Sequence, residues 1–154
     1  MSAPLATRCE LDALAQSPVL FDALIAKDDT GLTFEKTVTL DDPGVAAQRV
    51  TERWPHHLPG ELIIALTGQA GVIAVRREGL IPDGWRGHGV RIRDARFPAP
   101  VLVGETFYTR VEIARTRKLG PSVHVSFRFR MWKFVDGRQI ETFRSEQDAM
   151  FFPG

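Results

Sequence analysis

The stretch His57-Leu58-Pro59-Gly60-Glu61-Leu62-Ile63-Ile64-Ala65-Leu66-Thr67-Gly68-Gln69-Ala70-Gly71 decides the fold that the sequence predicts. Across residues 62–75 only Thr67 and Gln69 have polar side chains, so no polar stripe recurs every three or four positions. A helix that is apolar on every side is buried on every side. The run is also shorter than the roughly 20 apolar residues that a membrane-spanning helix needs. We therefore expect one long central helix that is surrounded by a large, curved sheet.

The start of this helix is predicted by two neighbouring residues. Pro59 suits the first turn, where its missing N–H leaves no hydrogen bond unmade, and Glu61 follows where negative charge favours the helix dipole. His56 and His57 come just before it. We expect the chemistry of the protein to lie at this end of the helix.

The composition is that of an ordinary globular protein. Of 154 residues, 44% are hydrophobic and 25% charged, and we expect one domain over residues 1–154. The net charge of +1 argues against a nucleic-acid or membrane partner. Cys9 is the only cysteine, which excludes an internal disulfide and suits a reducing compartment. The N-terminus shows no signal-peptide pattern, so we expect a cytoplasmic protein.

Residues 1–31 are predicted to be a helical segment. Residues 10–27 have the spacing of a packing helix, with Leu11 and Leu14 on one face and an apolar stripe that continues through Leu24. Within this helix, Ser17-Pro18 is predicted to be an N-cap followed by proline at the first helical position.

The remaining chain, residues 32–152, is predicted to be mostly strand. Apolar residues alternate with polar ones across residues 32–40, and residues 45–54 fit either a second strand or an extended loop. Long strands are predicted at 90–97, 105–114, 122–134 and 138–152, with a hairpin at Asp136-Gly137. One helix covers only one face of such a sheet, so we expect an α+β homodimer or dimer of dimers.

Two blocks resemble the hot-dog fold, a curved antiparallel sheet around one long helix. The first is His57-Leu58-Pro59-Gly60-Glu61-Leu62-Ile63-Ile64 with Gln69-Ala70, which is similar to the pattern of β-hydroxyacyl-ACP dehydratases. The second is Arg96-Phe97-Pro98-Ala99-Pro100-Val101-Leu102-Val103-Gly104-Glu105, which is similar to a segment of dehydratases and thioesterases of this fold. The resemblance implies an enzyme that acts on an acyl-CoA or acyl carrier protein thioester.

The departures from the dehydratase pattern favour a thioesterase. Ala65 stands where the dehydratases have a carboxylate, and Glu61 lies one helical turn earlier. The pattern is closer to FcoT-type fatty acyl-CoA thioesterases, which implies a polar helix residue that positions water. Thr67 takes the place of an asparagine of that family. The alternatives are a dehydratase that uses Glu61 and a non-catalytic acyl-binding dimer.

Thioester hydrolysis needs a donor to the carbonyl oxygen and a held water molecule. Free N–H groups at the helix start, around Gly60, suit the first need. His57, His56, Glu61, Thr67 and Gln69 are candidates for the second, each with an ordinary structural alternative such as capping or dipole pairing.

The predicted substrate contacts come from both blocks, and no metal or cofactor is expected. The predicted substrate-binding residues are Pro59, Gly68, Gln69, Arg96 and Phe97. Arginines of the later strands, such as Arg110, Arg128 and Arg130, are predicted either to form a solvated face or to bind coenzyme A phosphates or an acidic carrier protein.

Overall fold

A computed structural model describes residues 2–154 as one seven-stranded antiparallel sheet with two helices. The sheet order is β1-β2-β3-β5-β6-β7-β4. None of the helices in residues 2–154 is long and apolar enough to cross a bilayer. The elements in chain order are β1 (Ala6–Thr7), α1 (Arg8–Asp12), β2 (Ala23–Lys27), β3 (Gly31–Thr37), α2 (Gly60–Arg77), β4 (Arg86–Arg96), β5 (Thr106–Leu119), β6 (Ser122–Val135) and β7 (Arg138–Phe152).

The long helix α2 lies against the sheet, with Pro59 as its N-cap. Eleven of its residues are buried, as the apolar composition of the segment requires. It is not buried on every side, however, because Glu61, Ala65 and Gly68 are exposed. These three positions are spaced by four and three residues, so they form one narrow stripe along the helix, which we call the open stripe.

The four long strands follow the alternation of the sequence. On β6, Phe127, Phe129 and Met131 are buried, while Arg128 and Arg130 are exposed on the opposite face. The hairpin predicted at Asp136-Gly137 joins β6 to β7, and both residues have positive φ angles, 50° and 75°. That conformation matches the twist of two paired strands and is easiest for glycine and aspartate.

The strand β4 is an edge of the sheet. It pairs only with β7 on one side, and its apolar residues Val90 and Ile92 are exposed. An edge strand with exposed apolar side chains offers unpaired backbone groups to another strand.

The predicted N-terminal packing helix over residues 10–27 is wrong. The helix α1 has only five residues, and Ala23–Lys27 is the strand β2, which pairs with β3. No helix begins at Ser17-Pro18. The pairing of β2 with β3 shifts register between Leu24 and Ala26, which marks a β-bulge. The bulge interrupts the period of two within β2, whereas Leu11 and Leu14 of the predicted apolar stripe precede this strand.

Residues 45–54 do not form the second strand that the sequence allowed. They form successive turns, with one backbone-paired couple, Thr51 and Trp54. The preceding turn supplies a partner for a buried charge. Asp42 forms an ion pair at 2.7 Å with Lys36, whose side chain points inward from β3 and is 2% exposed. A buried ammonium group needs such a partner.

Candidate functional site

A cavity of about 230 Å³ lies between the middle of α2 and the sheet. Its walls are mostly apolar, with Phe127 and Phe129 from β6 and Val72 from α2. Gly68 leaves open space, because a Cβ placed there would meet no atom within 4 Å. Gly71 packs closely instead, since its Cβ would come within 3.3 Å of the Phe127 ring. The two helix glycines therefore have different roles, one opening the cavity and the other allowing contact with the sheet.

One part of the cavity is polar and joins α2 to β7. The hydroxyl of Thr67 donates to the carbonyl oxygen of Ile64 at 2.6 Å. It therefore accepts from Gln147 Nε2 at 2.9 Å, and the same nitrogen donates to Ser145 Oγ at 3.0 Å. Both amide protons of Gln147 are then used. Its Oε1 lies 3.3 Å from Thr67 Oγ1, whose single proton is already donated elsewhere, so this oxygen can accept a hydrogen bond from a guest molecule.

Gln69 also borders the cavity but is fully engaged in holding the N-terminal segment. Its Oε1 accepts from the Leu20 N–H at 2.9 Å, and its Nε2 donates to the Pro18 carbonyl at 2.8 Å and to Ser17 Oγ at 3.1 Å. All the polar atoms of this buried side chain have protein partners. Gln69 therefore has a structural role, which is to hold the N-terminal segment against α2. Thr67 and Gln69 nevertheless line one cavity, although they lie on different sides of the helix.

The two histidines lie in a rigid loop ahead of α2. Gln48 holds the backbone of His57 on both sides, because its Oε1 accepts from the His57 N–H and its Nε2 donates to the His57 carbonyl, each at 2.9 Å. Nδ1 of His57 lies 3.0 Å from the Pro55 carbonyl, and Nδ1 of His56 lies 2.9 Å from the Val45 carbonyl. A carbonyl only accepts, so each Nδ1 is protonated and each neutral ring has Nε2 as its basic nitrogen.

The first backbone N–H groups of α2 remain unpaired, as at any helix start. The Pro59 carbonyl accepts from Leu62 and Ile63, which leaves the N–H groups of Gly60 and Glu61 without a helical partner. A Cβ on Gly60 would lie 3.7 Å from the ring of Phe97.

The predicted site residues fall into two groups that do not meet within one chain. Thr67, Gly68 and Gln69 line the cavity, whereas His56, His57, Pro59, Gly60 and Glu61 do not. Thr67 lies seven positions after Gly60 along the helix, which corresponds to roughly 10 Å along the axis. Phe97 lies at the helix start against Phe143, with ring centroids 5.0 Å apart. Arg96 lies opposite Arg144 on the neighbouring strand and does not line the cavity.

Gln147, which completes the polar part of the cavity, was not predicted from the sequence, and neither was Ser145, which accepts a hydrogen bond from the Gln147 amide. The strand β7 places Phe143, Ser145, Gln147, Ala149 and Phe151 on the face toward α2. Two polar side chains between two buried phenylalanines on an alternating strand are unusual. That pattern was the available signal.

Asp148 lies at the border of the cavity and is 3% exposed. Burial by itself raises the pKa of a carboxyl group, but here a hydrogen bond from Ser126 and the positive charges of Arg93, His124 and Arg91 outweigh it. The pKa of Asp148 is therefore lowered from its ordinary value of 3.8. The Ser126 hydroxyl donates at 2.8 Å and Arg93 at 3.0 Å. The carboxylate is thus a charged anchor between β4, β6 and β7.

Comparison with solved structures identifies the fold, whereas no family model and no curated protein matches the sequence. The dehydratase heterocomplex ApeI:P from Xenorhabdus doucetiae aligns over 100% of this chain and 93% of that chain, with 20% identity and a TM-score of 0.62. A thioesterase family protein from Silicibacter pomeroyi aligns over 93% of this chain and 95% of that chain, with 17% identity and a TM-score of 0.62. A thioesterase superfamily member from Thermus thermophilus aligns over 82% and 84%, with 18% identity and a TM-score of 0.59.

These similarities confirm the predicted resemblance. The neighbours are thioesterase-superfamily proteins and a dehydratase, as the two sequence blocks implied. A seven-stranded antiparallel sheet with a helix packed on it is consistent with the hot-dog fold of that group. The chain thus has a hot-dog-like fold, which it shares with thioesterases and with a dehydratase.

Proposed function

We propose that the protein is an acyl thioesterase that hydrolyses a fatty-acyl-type thioester of coenzyme A or of an acyl carrier protein. The observation that carries this proposal is the cavity between α2 and the sheet, which combines apolar walls with one polar part. Phe127, Phe129 and Val72 suit an acyl chain, and Gln147 offers a free oxygen beside them. Ligand sites commonly combine such apolar walls with a few fixed polar groups.

The proposed reaction is the direct attack of water on the thioester carbonyl carbon. Gln147 Oε1 accepts a hydrogen bond from the attacking water, and Thr67 fixes the orientation of the Gln147 amide. A new C–O bond forms, the C–S bond breaks, and the leaving thiolate takes up the proton that the water loses. His57 Nε2 is suited to relay that proton, because its Nδ1 is bound to the Pro55 carbonyl. The N–H groups of Gly60 and Glu61 stabilise the charge on the carbonyl oxygen.

These groups serve one thioester only if two copies of the chain contribute to it. Within one copy, the helix start and Thr67 are separated by roughly 10 Å. The open stripe of Glu61, Ala65 and Gly68 and the edge strand β4 are both uncovered. We propose a homodimer that pairs along β4 and covers the stripe, so that the helix start of one copy faces the cavity of the other.

A dehydratase is the second candidate, and two observations favour it. One of the structural neighbours is part of a dehydratase heterocomplex. Glu61 is exposed on the open stripe and forms no hydrogen bond or ion pair with residues 2–154, so its carboxyl group is available to exchange a proton with a substrate. Against this, Ala65 provides no acid at the position where the dehydratase pattern has a carboxylate.

The test is an assay of the purified protein with acyl-CoA and acyl carrier protein thioesters of increasing chain length. Release of free thiol supports the thioesterase. Formation of an enoyl product from a hydroxyacyl thioester, lost in Glu61→Gln, supports the dehydratase instead. Binding of acyl-CoA without release of either product supports a non-catalytic acyl-binding dimer and contradicts both enzymes.

A further inference from the structure

Four arginines from four adjacent strands lie directly opposite one another on the sheet. Register pairs Arg96 of β4 with Arg144 of β7, Arg144 with Arg130 of β6, and Arg130 with Arg110 of β5. Neighbouring strands are about 4.8 Å apart, so this arginine row spans about 14 Å. Directly opposed residues share a face, and Arg130 points away from its buried neighbours Phe129 and Met131. The row therefore lies on the sheet face opposite α2.

The row includes a fourth arginine, Arg96, because β4 contains a bulge. Arg93 pairs with Glu146, and regular pairing would then set residue 95 opposite Arg144. The register shifts by one residue between Arg93 and Arg96, and Asp94 takes a φ of 50° there. The shift sets Arg96 opposite Arg144 instead. A bulge of this kind redirects the side chains that follow it, which here adds the fourth arginine to the row.

The positive charge of the row is only partly neutralised by the protein. Arg110 binds Asp28 and Glu112, each at 2.9 Å. Arg130 and Arg144 share Glu141 at 3.7 Å and 3.9 Å, which is too long for good hydrogen bonds, and their side chains are 61% and 51% exposed. Arg96 has no ion pair with any residue in the described part of the chain, 2–154. Like charges directly opposite each other destabilise a sheet, so the row is costly unless it binds something.

The shape of the surface favours a small anion over a large acidic one. All four arginines line a concavity of about 440 Å³. Asp94, Glu112 and Glu146 line it too, but Glu112 is paired with Arg110 and Glu146 with Arg93. A concavity of this size admits a small anion, whereas the extended acidic surface of a protein partner would not enter it. Guanidinium groups form bidentate hydrogen bonds with phosphate oxygens, and a row of guanidinium groups suits several linked phosphates.

We propose that the arginine row is a binding site for a small polyphosphate anion of the nucleotide type. This site is on the opposite face of the sheet from the cavity, and it does not depend on the proposed thioesterase activity. Two sources share this chemistry, namely a free nucleotide and the nucleotide end of coenzyme A.

The test is calorimetric titration of the full chain at low ionic strength with inorganic pyrophosphate, ADP and coenzyme A. We expect pyrophosphate and ADP to bind, with affinity at least tenfold lower in the double variant Arg130→Gln/Arg144→Gln. Arg138→Gln is the matched control, because Arg138 is an exposed arginine of β7 outside the row. This variant should bind pyrophosphate and ADP with the affinity of the unchanged protein. Arg144→Lys should bind with intermediate affinity, since it keeps the charge but loses the two-pronged geometry.

The same variants distinguish the sources and can overturn the proposal. If coenzyme A competes with ADP and its binding is lost in the double variant, the ligand is the coenzyme. If ADP binds and coenzyme A does not, the ligand is a free nucleotide. The unliganded double variant should also melt at a higher temperature than the unchanged protein, because the repulsion within the row is removed. The proposal is wrong if pyrophosphate and ADP do not bind, if the double variant binds them equally well, or if only an acidic polypeptide binds.

Discussion

Gln147 of β7 and Thr67 of α2 are joined by a hydrogen bond of 2.9 Å in which the amide nitrogen donates and the hydroxyl oxygen accepts. The direction of this bond is fixed by the Thr67 hydroxyl, which gives its only proton to the Ile64 carbonyl. The Gln147 oxygen lies 3.3 Å from the same hydroxyl, which has no second proton to donate, so this oxygen remains available beside the cavity. This pair links the helix to the sheet at the point where we propose that water is held.

Replacement of Gln147 by leucine should therefore abolish water positioning while keeping the size of the side chain. We expect kcat for thioester hydrolysis to fall about 100-fold, which is the loss expected when one fixed hydrogen-bonding group at a reacting centre is removed. Thr67→Val should also lower kcat, because the amide loses the acceptor that orients it. Gln139→Leu is the matched control, since Gln139 is exposed on the same strand, and its kcat should not change. Equal kcat in Gln147→Leu and the control would contradict the role of Gln147.

Replacement by alanine should stabilise the protein more at Gly68 than at Gly71. Alanine is favoured over glycine in a helix by about 1 kcal/mol, and a Cβ on Gly68 meets no atom within 4 Å. Gly68→Ala should therefore raise the free energy of unfolding by up to about 1 kcal/mol. Gly71→Ala should gain less or lose stability, because its Cβ meets the Phe127 ring at 3.3 Å. Chemical denaturation measures both, and a larger gain for Gly71→Ala would contradict this packing.

Mixing of two inactive variants should restore activity if two copies build each site. In a mixed dimer of His57→Ala and Gln147→Leu, one of the two sites would receive both unchanged residues. Random exchange makes half of the dimers mixed, so about a quarter of the activity should return. If His57 and Gln147 of the same copy serve one thioester, mixing should restore nothing.

The ion pairs of Asp148 should make part of the stability depend on pH. Its pKa is lowered in the folded protein, so its charged form stabilises the fold above the unfolded pKa, and this contribution is lost as the pH falls through the folded pKa. The unchanged protein should be more stable than Asp148→Asn above about pH 4, and the margin should shrink below that. Thermal denaturation at a series of pH values measures it. A margin that grows below about pH 4 would contradict the lowered pKa.

Sequence patterns predicted the strands and the long helix better than they predicted the N-terminal segment. The alternation on β6 and the Asp136-Gly137 turn are local signals that tertiary structure did not override. On β2, the bulge between Leu24 and Ala26 interrupts the strand alternation. Strand pairing with β3, which a local pattern does not contain, decided the structure there.

The candidate site was predictable only in part, because its polar atoms come from distant elements. Thr67 and Gly68 could be identified from the apolar helix, but their partner Gln147 lies 80 residues later in the chain. The engagement of Gln69 by Ser17 and Pro18 likewise depends on how the N-terminal segment folds back on α2. The arginine row was likewise not predictable from the sequence, because Arg96 joins it only through a bulge in β4 that has no local sequence signal.

The most direct test of the central claim is thiol release from acyl-CoA thioesters by the unchanged protein and by Gly68→Leu, whose side chain would enter the cavity beside α2. The account predicts that the unchanged protein releases thiol. It also predicts that Gly68→Leu, although folded, loses this activity with long acyl chains before it loses it with short ones. Equal activity of both proteins on every chain length, or no thiol release by the unchanged protein, would contradict the claim that this cavity hydrolyses an acyl thioester.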